Sequence, residues 1–287
     1  MSLPGLTIIG ESINDSVPST HKLFEANDIA GLKELARSQD AGGATYIDVN
    51  VGKRSPEFLA EMVRQVQSVT TKPLSIDTPD PVMAEAGLKA YDLNRAGGQI
   101  PVLNSISPLR TQMFDLNKIV PFKPILLITE RNENGSGQPN HNVAQTYATA
   151  QQMIAAAGQH GIPVRDCILD PGISPIGADS EDQFLRLMQS IRSIHADPAF
   201  RGVHMSVGLS NFTVMLPPKR ADGSPTKSPL ESAFLTLAMP LGLDHVIGSV
   251  KRKYETLPAD HPALQCLTDC LNRTGFDVIM RVQEFYA

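Results

Sequence analysis

The sequence predicts an α/β protein of the (β/α)8 barrel class, and three observations carry that prediction. Eight short apolar runs recur along the chain, each brief enough to be a strand that is buried on both faces. Helix-like segments separate these runs, and eight alternations of strand and helix fit the length of one barrel domain spanning residues 1–287. No glycine-rich dinucleotide motif follows the first run, which disfavours a doubly wound open sheet, the competing architecture.

The predicted elements alternate regularly along the chain. Strands are expected at Leu6–Glu11, Tyr46–Val51, Leu74–Asp77, Val102–Ser105, Ile125–Thr129, Cys167–Asp170, His204–Gly208 and His245–Gly248. Helices are expected over Asp28–Gln39, Pro56–Val69, Pro81–Leu93, Val143–His160, Glu181–His195 and Leu230–Leu241, with a short one over Leu109–Asn117 and a last one over Pro262–Phe285.

Local signals fix several helix boundaries. Ser55 and Asp80 each precede a proline, and a capping side chain before a proline in the first turn is a typical helix start. Gly42-Gly43 and Gly161 follow helical segments, where a left-handed residue ends a helix.

The composition excludes several classes of protein. Hydrophobic residues make up 41% and charged residues 19%, with a net charge of -5, which is typical of a globular chain and not of a disordered one. Acidic and basic residues are mixed throughout, so no surface for nucleic acid or an anionic membrane is expected. No apolar run approaches the roughly 20 residues that cross a bilayer. Three cysteines and an N-terminus without export features lead us to expect a cytoplasmic protein.

Polar side chains end most of the predicted strands. In a barrel the carboxyl ends of all strands meet at one face, where such folds place their active sites. Any single Asp or Asn at such a junction is more often a cap or turn residue, but six or more strands that end this way favour a polar pocket. The residues concerned are Glu11, Asp48, Asn50, Asp77, Asn104, Asp170, Ser210 and Asn211.

Neither a metal centre nor a catalytic nucleophile is expected. The seven histidines include no His-x-His pair, and His204 and His245 open the last two strands, at the opposite end of a barrel. A metal-dependent hydrolase barrel acting on purines is therefore disfavoured. Cys167 begins a strand, and Cys266 and Cys270 lie four residues apart on one helix face, so core packing is the simpler explanation for all three.

Short carboxylates and carboxamides are well suited to bind a flat polar heterocycle. An aspartate accepts two parallel hydrogen bonds from an amidine-like edge, and an asparagine offers one donor and one acceptor in a plane. A 2-amino-4-oxo ring, as in pterins and guanine, presents such edges. The residues at the strand ends therefore predict a site for a pterin or a purine.

At these strand ends the sequence resembles the pterin-binding methyltransferase barrels, a TIM-barrel superfamily that includes dihydropteroate synthase. The matching segments follow the order of that superfamily and span nearly the whole chain, which implies a single pterin-binding TIM-barrel domain over residues 1–287. They are Ile9–Asn14, Ile47–Gly52, Ser75–Thr78, Leu103–Ser107, Ile168–Pro171 and Gly208–Asn211.

Within this superfamily the chain is most similar to the methyltetrahydrofolate:corrinoid-protein methyltransferases. Dihydropteroate synthase carries Ser-Arg-Lys where this chain has Ser210-Asn211-Phe212, and it carries a C-terminal Arg-x-His motif that is missing here. The folate domain of cobalamin-dependent methionine synthase matches at Asn104–Ser107 but belongs to a far longer chain. The resemblance implies transfer of a methyl group between N5 of tetrahydrofolate and the cobalt of a separate corrinoid protein, as part of one-carbon metabolism.

The resemblance also implies roles for individual residues. Asp77, Asn104 and Asp170 would hold the pterin through its amino, oxo and ring-nitrogen edges. Asn211 would bind the pterin at N5 and act as the catalytic residue, with no metal required. Secondary candidates at the same face are Glu11, Asn50 and Ser210, of which the first two could equally order neighbouring loops.

The segment from Phe212 to Ser228 departs from the acetyl-CoA-pathway members of the family. It contains Lys219 and Arg220, which could bind the anionic tail of folate or contact the corrinoid protein, or could belong to a solvated insertion. This difference favours a demethylase system in which the methylcorrinoid charges tetrahydrofolate. The reverse transfer and a non-catalytic pterin- or folate-binding barrel are the alternatives.

A homodimer is expected from the same resemblance. The last predicted helix presents Ile279, Val282 and Phe285 on one side, and this apolar face could lie between two subunits or could seal the barrel.

Overall fold

Eight parallel strands close into a barrel in a computed structural model that describes residues 3–287. Around the barrel each strand neighbours the next barrel strand in the chain, and the last one, β10, pairs with β1, so the predicted (β/α)8 barrel is confirmed and the open sheet is excluded. The barrel strands are β1 (Thr7–Asn14), β2 (Tyr46–Asn50), β3 (Leu74–Asp77), β4 (Val102–Ile106), β5 (Lys123–Leu127), β8 (Ile168–Asp170), β9 (His204–Gly208) and β10 (His245–Gly248). A separate hairpin consists of β6 (Glu130–Glu133) and β7 (Ser136–Pro139).

Ten α-helices cover and connect the strands within the described range. They are α1 (Pro18–Glu25), α2 (Ile29–Ala41), α3 (Pro56–Gln67), α4 (Pro81–Ala90), α5 (Val143–Gln159), α6 (Gln183–Ala196), α7 (Leu209–Phe212), α8 (Lys227–Ala238), α9 (Pro262–Cys270) and α10 (Phe276–Tyr286).

The predicted helix boundaries are confirmed where a local signal was present. Ser55 Oγ accepts a hydrogen bond from the N–H of Phe58, and Asp80 Oδ1 accepts from the N–H groups of Val82 and Met83. Gly43 and Gly161 lie just beyond α2 and α5 with φ of 91° and 78°, a conformation that glycine adopts without steric cost.

One expectation about the elements is wrong, two elements are additional to those expected, and one expected short helix has the 3₁₀ form. The last helix is interrupted between α9 and α10, where Gly275 has φ of 54° and breaks the helical path. Helix α1 and the β6–β7 hairpin were not predicted. In the segment Leu109–Asn117 the expected short helix is a 3₁₀ helix over Thr111–Lys118, in which hydrogen bonds span three residues instead of four.

The barrel interior is apolar in its lower half and polar towards the carboxyl ends of the strands. Five buried side chains from different strands fill the interior, namely Ile9, Tyr46, Val102, Ile125 and Ile168. The rest of the apolar core lies between the barrel and its helices. The polar side chains at the upper rim are thus carried by strands whose lower halves are fixed by packing.

Three phenylalanine rings anchor the segment that follows β9. Phe212 of α7, Phe234 of α8 and Phe184 of α6 are all buried, and their ring centroids lie 5.1–6.3 Å apart. Aromatic pairs at such separations contribute beyond their buried area. Because Phe212 belongs to α7, this cluster fixes the short helix against the outer helices.

The three cysteines and one side of the last helix pack inside the fold. Cys167, Cys266 and Cys270 are free and buried, in agreement with packing roles. Val282 and Phe285 are buried against the rest of the chain, so this side of α10 seals the fold and does not form an open face.

Within residues 3–287, no helix has the length and apolar character needed to cross a membrane.

We expect Phe234→Ala to lower the free energy of unfolding by about 3–5 kcal/mol, because it removes a fully buried ring that touches two others. Chemical denaturation monitored by circular dichroism measures the change. The matched control is Val82→Ala on α4, where the side chain is 63% exposed and the change should stay within about 0.5 kcal/mol. A similar small loss for both variants would contradict the anchoring role of the ring cluster.

Candidate active site

The barrel brings the predicted polar residues to one opening, at the carboxyl ends of the strands. Asn50, Asp77 and Asp170 are the last residues of β2, β3 and β8. Asp77 lies directly beside Asn104 of β4 in the strand register. Glu11 lies in β1, and Ser210 and Asn211 lie in α7 directly after β9. We call this opening, with these seven residues, the upper rim.

Asn50 orients Asp77. The Asn50 side chain donates from Nδ2 to Asp77 Oδ2 at 2.8 Å and accepts from the N–H of Gly52 at 2.9 Å. Gly52 has φ of 64°, and a side chain there would collide with Asp15, so the turn requires glycine. With both ends of its amide engaged, Asn50 acts on the site through Asp77.

The turn after β8 fixes Asp170. Its Oδ1 accepts a hydrogen bond from the N–H of Gly172 at 2.7 Å, an Asx turn that starts at the end of the strand. Gly172 has φ of 72°, and an added Cβ would lie 2.3 Å from a methyl group of Thr129. Beneath the turn, the buried Arg186 donates to the carbonyl oxygen of Pro171 at 3.0 Å. The orientation of Asp170 is therefore set by backbone geometry and by a buried cation.

Burial raises the pKa of Asp170 to about 6, although the Gly172 N–H and the Arg186 guanidinium favour the ionised form. The carboxyl is 7% exposed, so water contributes little to its solvation. Such a group gains strongly from a ligand that donates hydrogen bonds to it, because the ligand replaces solvation that the fold has removed.

A second, deeper carboxyl lies below Asp77, at a strand-end residue to which the sequence assigned no binding role. Asp48 of β2 is fully buried, and neither of its carboxyl oxygens accepts a hydrogen bond from another described residue. Burial and then the charge of Asp77 raise the pKa of Asp48 well above its usual range. Burial also raises the pKa of Asp77, although the hydrogen bond from the Asn50 amide opposes this shift. The two carboxyls therefore influence one another, and the fully buried Asp48 has the more strongly raised pKa.

Asn104 is available to a ligand. Its backbone carbonyl accepts from the N–H of Thr78 at 2.7 Å, which ties β4 to the loop after β3. Its side chain is 9% exposed and makes no hydrogen bond with another residue of the described range 3–287. A carboxamide that is nearly buried yet free offers one donor and one acceptor to a planar ligand.

Two carboxylates, the half-buried Glu11 and the fully buried Glu231, hold α7 from either side. Glu11 accepts a hydrogen bond from the hydroxyl of Ser210, and Glu231 of α8 accepts from the hydroxyl of Thr213 at 2.6 Å. The Nε of Arg252 lies 3.3 Å from Glu231 Oε2, and the Arg252 charge also lowers the pKa of Glu11. Burial nevertheless raises the pKa of both carboxyls. This arrangement, which we call the α7 clamp, brackets Asn211.

Asn211 itself is exposed at the upper rim. Its amide lies against the end of β9, since a Cβ added at Gly208 would sit 2.9 Å from Asn211 Nδ2. The main chain around it is fixed by the α7 clamp and by Phe212, while the side chain keeps freedom to rotate. An asparagine in this setting can present either its oxygen or its NH₂ group to a ligand.

Lys219 and Arg220 lie in the segment between α7 and α8. Arg220 donates from Nε to the carbonyl oxygen of Phe285 at 2.8 Å and stacks on the Phe285 ring, which ties it to α10. The backbone of Lys219 pairs with that of Pro225 in a single antiparallel β-bridge. Arg220 is therefore joined to the C-terminal helix, and neither side chain forms a hydrogen bond with an upper rim residue in the described chain.

Within residues 3–287, one group has the spacing of metal ligands, and it lies at the opposite end of the barrel. Asp244 accepts hydrogen bonds from His204 Nδ1 at 2.6 Å and His245 Nδ1 at 2.8 Å, where β9 and β10 begin. Burial raises the pKa of Asp244, but the two histidine donors outweigh it and hold that pKa well below the usual range. These polar atoms satisfy one another away from the upper rim, as expected for these two histidines.

We expect the Asp170 carboxyl to make the fold less stable as the pH rises from about 4 to about 6. The folded chain binds this proton more tightly than the unfolded chain, whose pKa is near 3.8, so raising the pH through this window favours unfolding. The difference corresponds to about 3 kcal/mol, and Asp170→Asn should remove it.

Urea denaturation at about pH 4 and about pH 7.5 measures this effect, with the exposed Asp260→Asn as control. Asp170→Asn should gain free energy of unfolding relative to the parent at the higher pH, and the control should not. An equal pH dependence of all three proteins would show that Asp170 is not perturbed by folding.

Comparison with known proteins finds a matching family and a related enzyme. Residues 13–248 match the model of a family described as pterin binding enzyme. Over 252 residues the chain is 27% identical to a methylcorrinoid:tetrahydrofolate methyltransferase from Eubacterium limosum, and the match covers 84% of each chain.

Solved structures show the same fold. A 7,8-dihydropteroate synthase from Vibrio fischeri ES114 matches with a TM-score of 0.60 and 14% identity, over 97% of this chain and 92% of that one. Yersinia pestis DHPS with a pterine-sulfa conjugate matches with a TM-score of 0.54 and 15% identity, over 86% and 88% of the two chains. The family model spans most of the sequence, and six of the seven upper rim residues, all but Glu11, lie within it, so the chain belongs to the family of pterin binding enzymes.

Proposed function

We propose that this protein is a methyltransferase that moves a methyl group between the cobalt of a corrinoid protein and N5 of tetrahydrofolate. The observation that carries the proposal is the upper rim, where two carboxyls and a free carboxamide face one opening and a rotatable asparagine stands beside them. The match to a methylcorrinoid:tetrahydrofolate methyltransferase over 84% of the chain supports the same activity.

The pterin ring would be recognised by Asp77, Asn104 and Asp170. Its 2-amino group and adjacent ring N–H donate two parallel hydrogen bonds, which suit a buried carboxylate, and the 4-oxo group suits an NH₂ donor. Asp170 is the better candidate for the paired donors, because its turn leaves one oxygen open and Arg186 supports the negative charge. Asp48, Asn50 and Arg186 would position these groups without touching the ligand.

Asn211 would contact N5, the atom that gains or loses the methyl group. In transfer to tetrahydrofolate, the N5 lone pair forms the new N–C bond, the electron pair of the Co–C bond stays on cobalt, and N5 then releases its proton. N5 thus passes through a cationic form and a neutral one. A carboxamide can offer its oxygen to the first and its NH₂ to the second by rotating, and the exposed Asn211 has room to do so.

The main contribution of the protein to the rate is positioning. An in-line displacement needs the methyl group, N5 and cobalt aligned, and well-oriented reactants recover roughly 7–11 kcal/mol of the barrier. Because the α7 clamp fixes the backbone on both sides of Asn211, the chain holds N5 in place while the corrinoid approaches. No general acid lies among the proposed contacts, so water is the route for the N5 proton.

The methyl group would pass from the methylcorrinoid to tetrahydrofolate, as in demethylase systems, and the corrinoid would arrive on a partner protein. We place the protein in the cytoplasm and propose that it forms a homodimer. No protein-bound metal is needed for this chemistry. Sedimentation velocity measures the oligomeric state, and the exposed Phe276 and Met280 of α10 are the residues to change if a dimer is found.

The proposal is tested by the visible absorbance of methylcobalamin, mixed anaerobically with tetrahydrofolate and the purified protein. Conversion of methylcobalamin to cob(I)alamin that depends on both the protein and tetrahydrofolate is expected. Run with methyltetrahydrofolate and cob(I)alamin, the same assay reports the reverse direction. Tight folate binding without methyl transfer, even when a methylcorrinoid protein is supplied, would instead establish a pterin-binding barrel without this activity.

We expect Asn211→Ala to slow methyl transfer by about a hundredfold or more, while the Kd for tetrahydrofolate changes by less than about tenfold. The reason is that Asn211 acts on N5 in its changing state and contributes little to holding the ring. Asn272→Ala on the exposed surface is the matched control. A normal rate for Asn211→Ala with methylcobalamin would remove Asn211 from the mechanism.

We expect Asp170→Asn to weaken tetrahydrofolate binding by roughly 1.5–3 kcal/mol, because a charged acceptor of two hydrogen bonds becomes neutral. Titration calorimetry at about pH 7.5 measures the loss. Asp260→Asn again serves as the surface control and should bind normally. Unchanged affinity in a folded Asp170→Asn variant would exclude Asp170 from the ligand contacts.

A further inference from the structure

Three side chains meet at the lower end of the barrel, where β9 and β10 begin. His204 is the first residue of β9, His245 is the first residue of β10, and Asp244 directly precedes β10. Each of the three offers one nitrogen or oxygen atom, and these atoms all lie within 4.8 Å of one another. We call this group the lower cluster. It lies at the opposite end of the barrel from the upper rim, so the proposed methyl transfer does not use it.

The pairing of β9 with β10 brings the two imidazoles together. Ser206 is the register partner of His245, and residues 204 and 206 lie on the same face of β9 because side chains alternate along a strand. The ring centroids of His204 and His245 are 4.6 Å apart. The two histidines belong to different strands, so no short motif in the sequence indicates that they meet.

The backbone of three strands holds Asp244 in place. Its carbonyl oxygen accepts a hydrogen bond from the N–H of Thr7 at 2.8 Å, and its N–H donates to the carbonyl oxygen of Met205 at 3.3 Å. Its Oδ1 also accepts from the N–H of Met205 at 3.0 Å. The two carboxylate oxygens face the Nδ1 atoms of His204 and His245, at 2.6 Å and 2.8 Å. A carboxylate fixed in this way is a well-oriented ligand.

Two imidazole nitrogens and a carboxylate oxygen form a ligand set that suits Zn²⁺, with bond lengths of about 2.0–2.2 Å. Donor atoms around a tetrahedral ion with such bonds are about 3.3 Å apart, so each Nδ1 atom needs to move away from the carboxylate by roughly 0.5–0.7 Å. Small side-chain rotations supply that movement. A neutral imidazole can bind through Nδ1 when its proton is on Nε2, so binding needs no net loss of a proton.

The lower cluster is accessible from solvent. The side chains of His204 and Asp244 are 31% and 36% exposed, whereas that of His245 is 6% exposed. An ion can therefore enter from outside, and water can complete its coordination. The charge of Lys123 acts on His245 and repels a cation. With three protein ligands and this repulsion, we expect an affinity in the micromolar range.

We propose that the lower cluster is a zinc site in which His204, Asp244 and His245 bind one Zn²⁺ ion per chain. The ion joins the beginnings of β9 and β10, and through the Asp244 backbone it also supports β1, so it stabilises the closure of the barrel. Because the site is remote from the upper rim, the ion leaves methyl transfer unchanged. The inference does not depend on the proposed function.

The test is a calorimetric titration of zinc chloride into the full chain, without an affinity tag and after treatment with a chelator. We expect one ion per chain and a Tm that rises with zinc. His204→Asn keeps an NH₂ group that can donate to Asp244 but removes the imidazole, so it should weaken zinc binding by about a hundredfold or more and abolish the rise in Tm. Asp244→Asn removes the charged ligand and should have the same effect.

The matched control is His141→Asn, because His141 is exposed and lies outside the lower cluster. It should bind zinc like the parent, and circular dichroism without zinc shows whether each variant folds. X-ray absorption of the parent with one equivalent of zinc should show nitrogen and oxygen neighbours only. Should one variant not fold, the other variant and this spectrum decide. No zinc binding by the parent, undiminished binding by a folded variant of the cluster, or sulfur neighbours would each overturn the inference.

Discussion

A parallel sheet of eight strands has no unpaired edge only when it closes, and closure in this protein turns the carboxyl end of every strand to one opening. Apolar side chains fill the lower interior, so the strands are held there by packing. The upper rim is left to polar residues that cannot pack in the same way. Asp77, Asn104 and Asp170 come from strands far apart in sequence, and only the closed barrel brings them to one ligand-sized space.

Burial of carboxyl groups is the main cost of this arrangement. Desolvation raises the pKa of Glu11, Asp48, Asp77, Asp170 and Glu231. Hydrogen-bond donors or nearby cations oppose part of this rise at Glu11, Asp77, Asp170 and Glu231. Asp48 has no hydrogen-bond partner among the described residues, and its pKa is raised well above the usual range. Buried carboxyls lower the stability of the unliganded fold, but they increase the affinity for a ligand that donates hydrogen bonds to them. Such a trade-off between function and stability is common.

Helix α7 connects the two sides of the proposed site. Phe212 joins the ring cluster between α6 and α8, and Ser210 and Thr213 bind the carboxylates of Glu11 and Glu231. Arg252 pairs with Glu231 and lowers the pKa of Glu11 by its charge. The same few contacts therefore fix the residue proposed at N5.

The sequence by itself determined the alternation of strands and helices, the closed barrel they imply and the polar residues at the strand ends. These depend on local patterns: apolar runs, capping residues such as Ser55 and Asp80, and Asp or Asn directly after a strand. The β6–β7 hairpin also had a local signal, since Asn134 and Gly135 both have positive φ in the tight turn that this pair favours, but it was not recognised.

Only the tertiary structure decided which polar groups act on one another. Glu231 and Arg252 follow no pattern that predicts a buried ion pair around α7, and the depth of Asp48 beneath Asp77 depends on the register of β2 with β3. The break between α9 and α10 and the sealing role of Phe285 likewise depend on packing against distant segments. Pairing energies and desolvation arise between groups that are close in space, so neighbours along the chain do not reveal them.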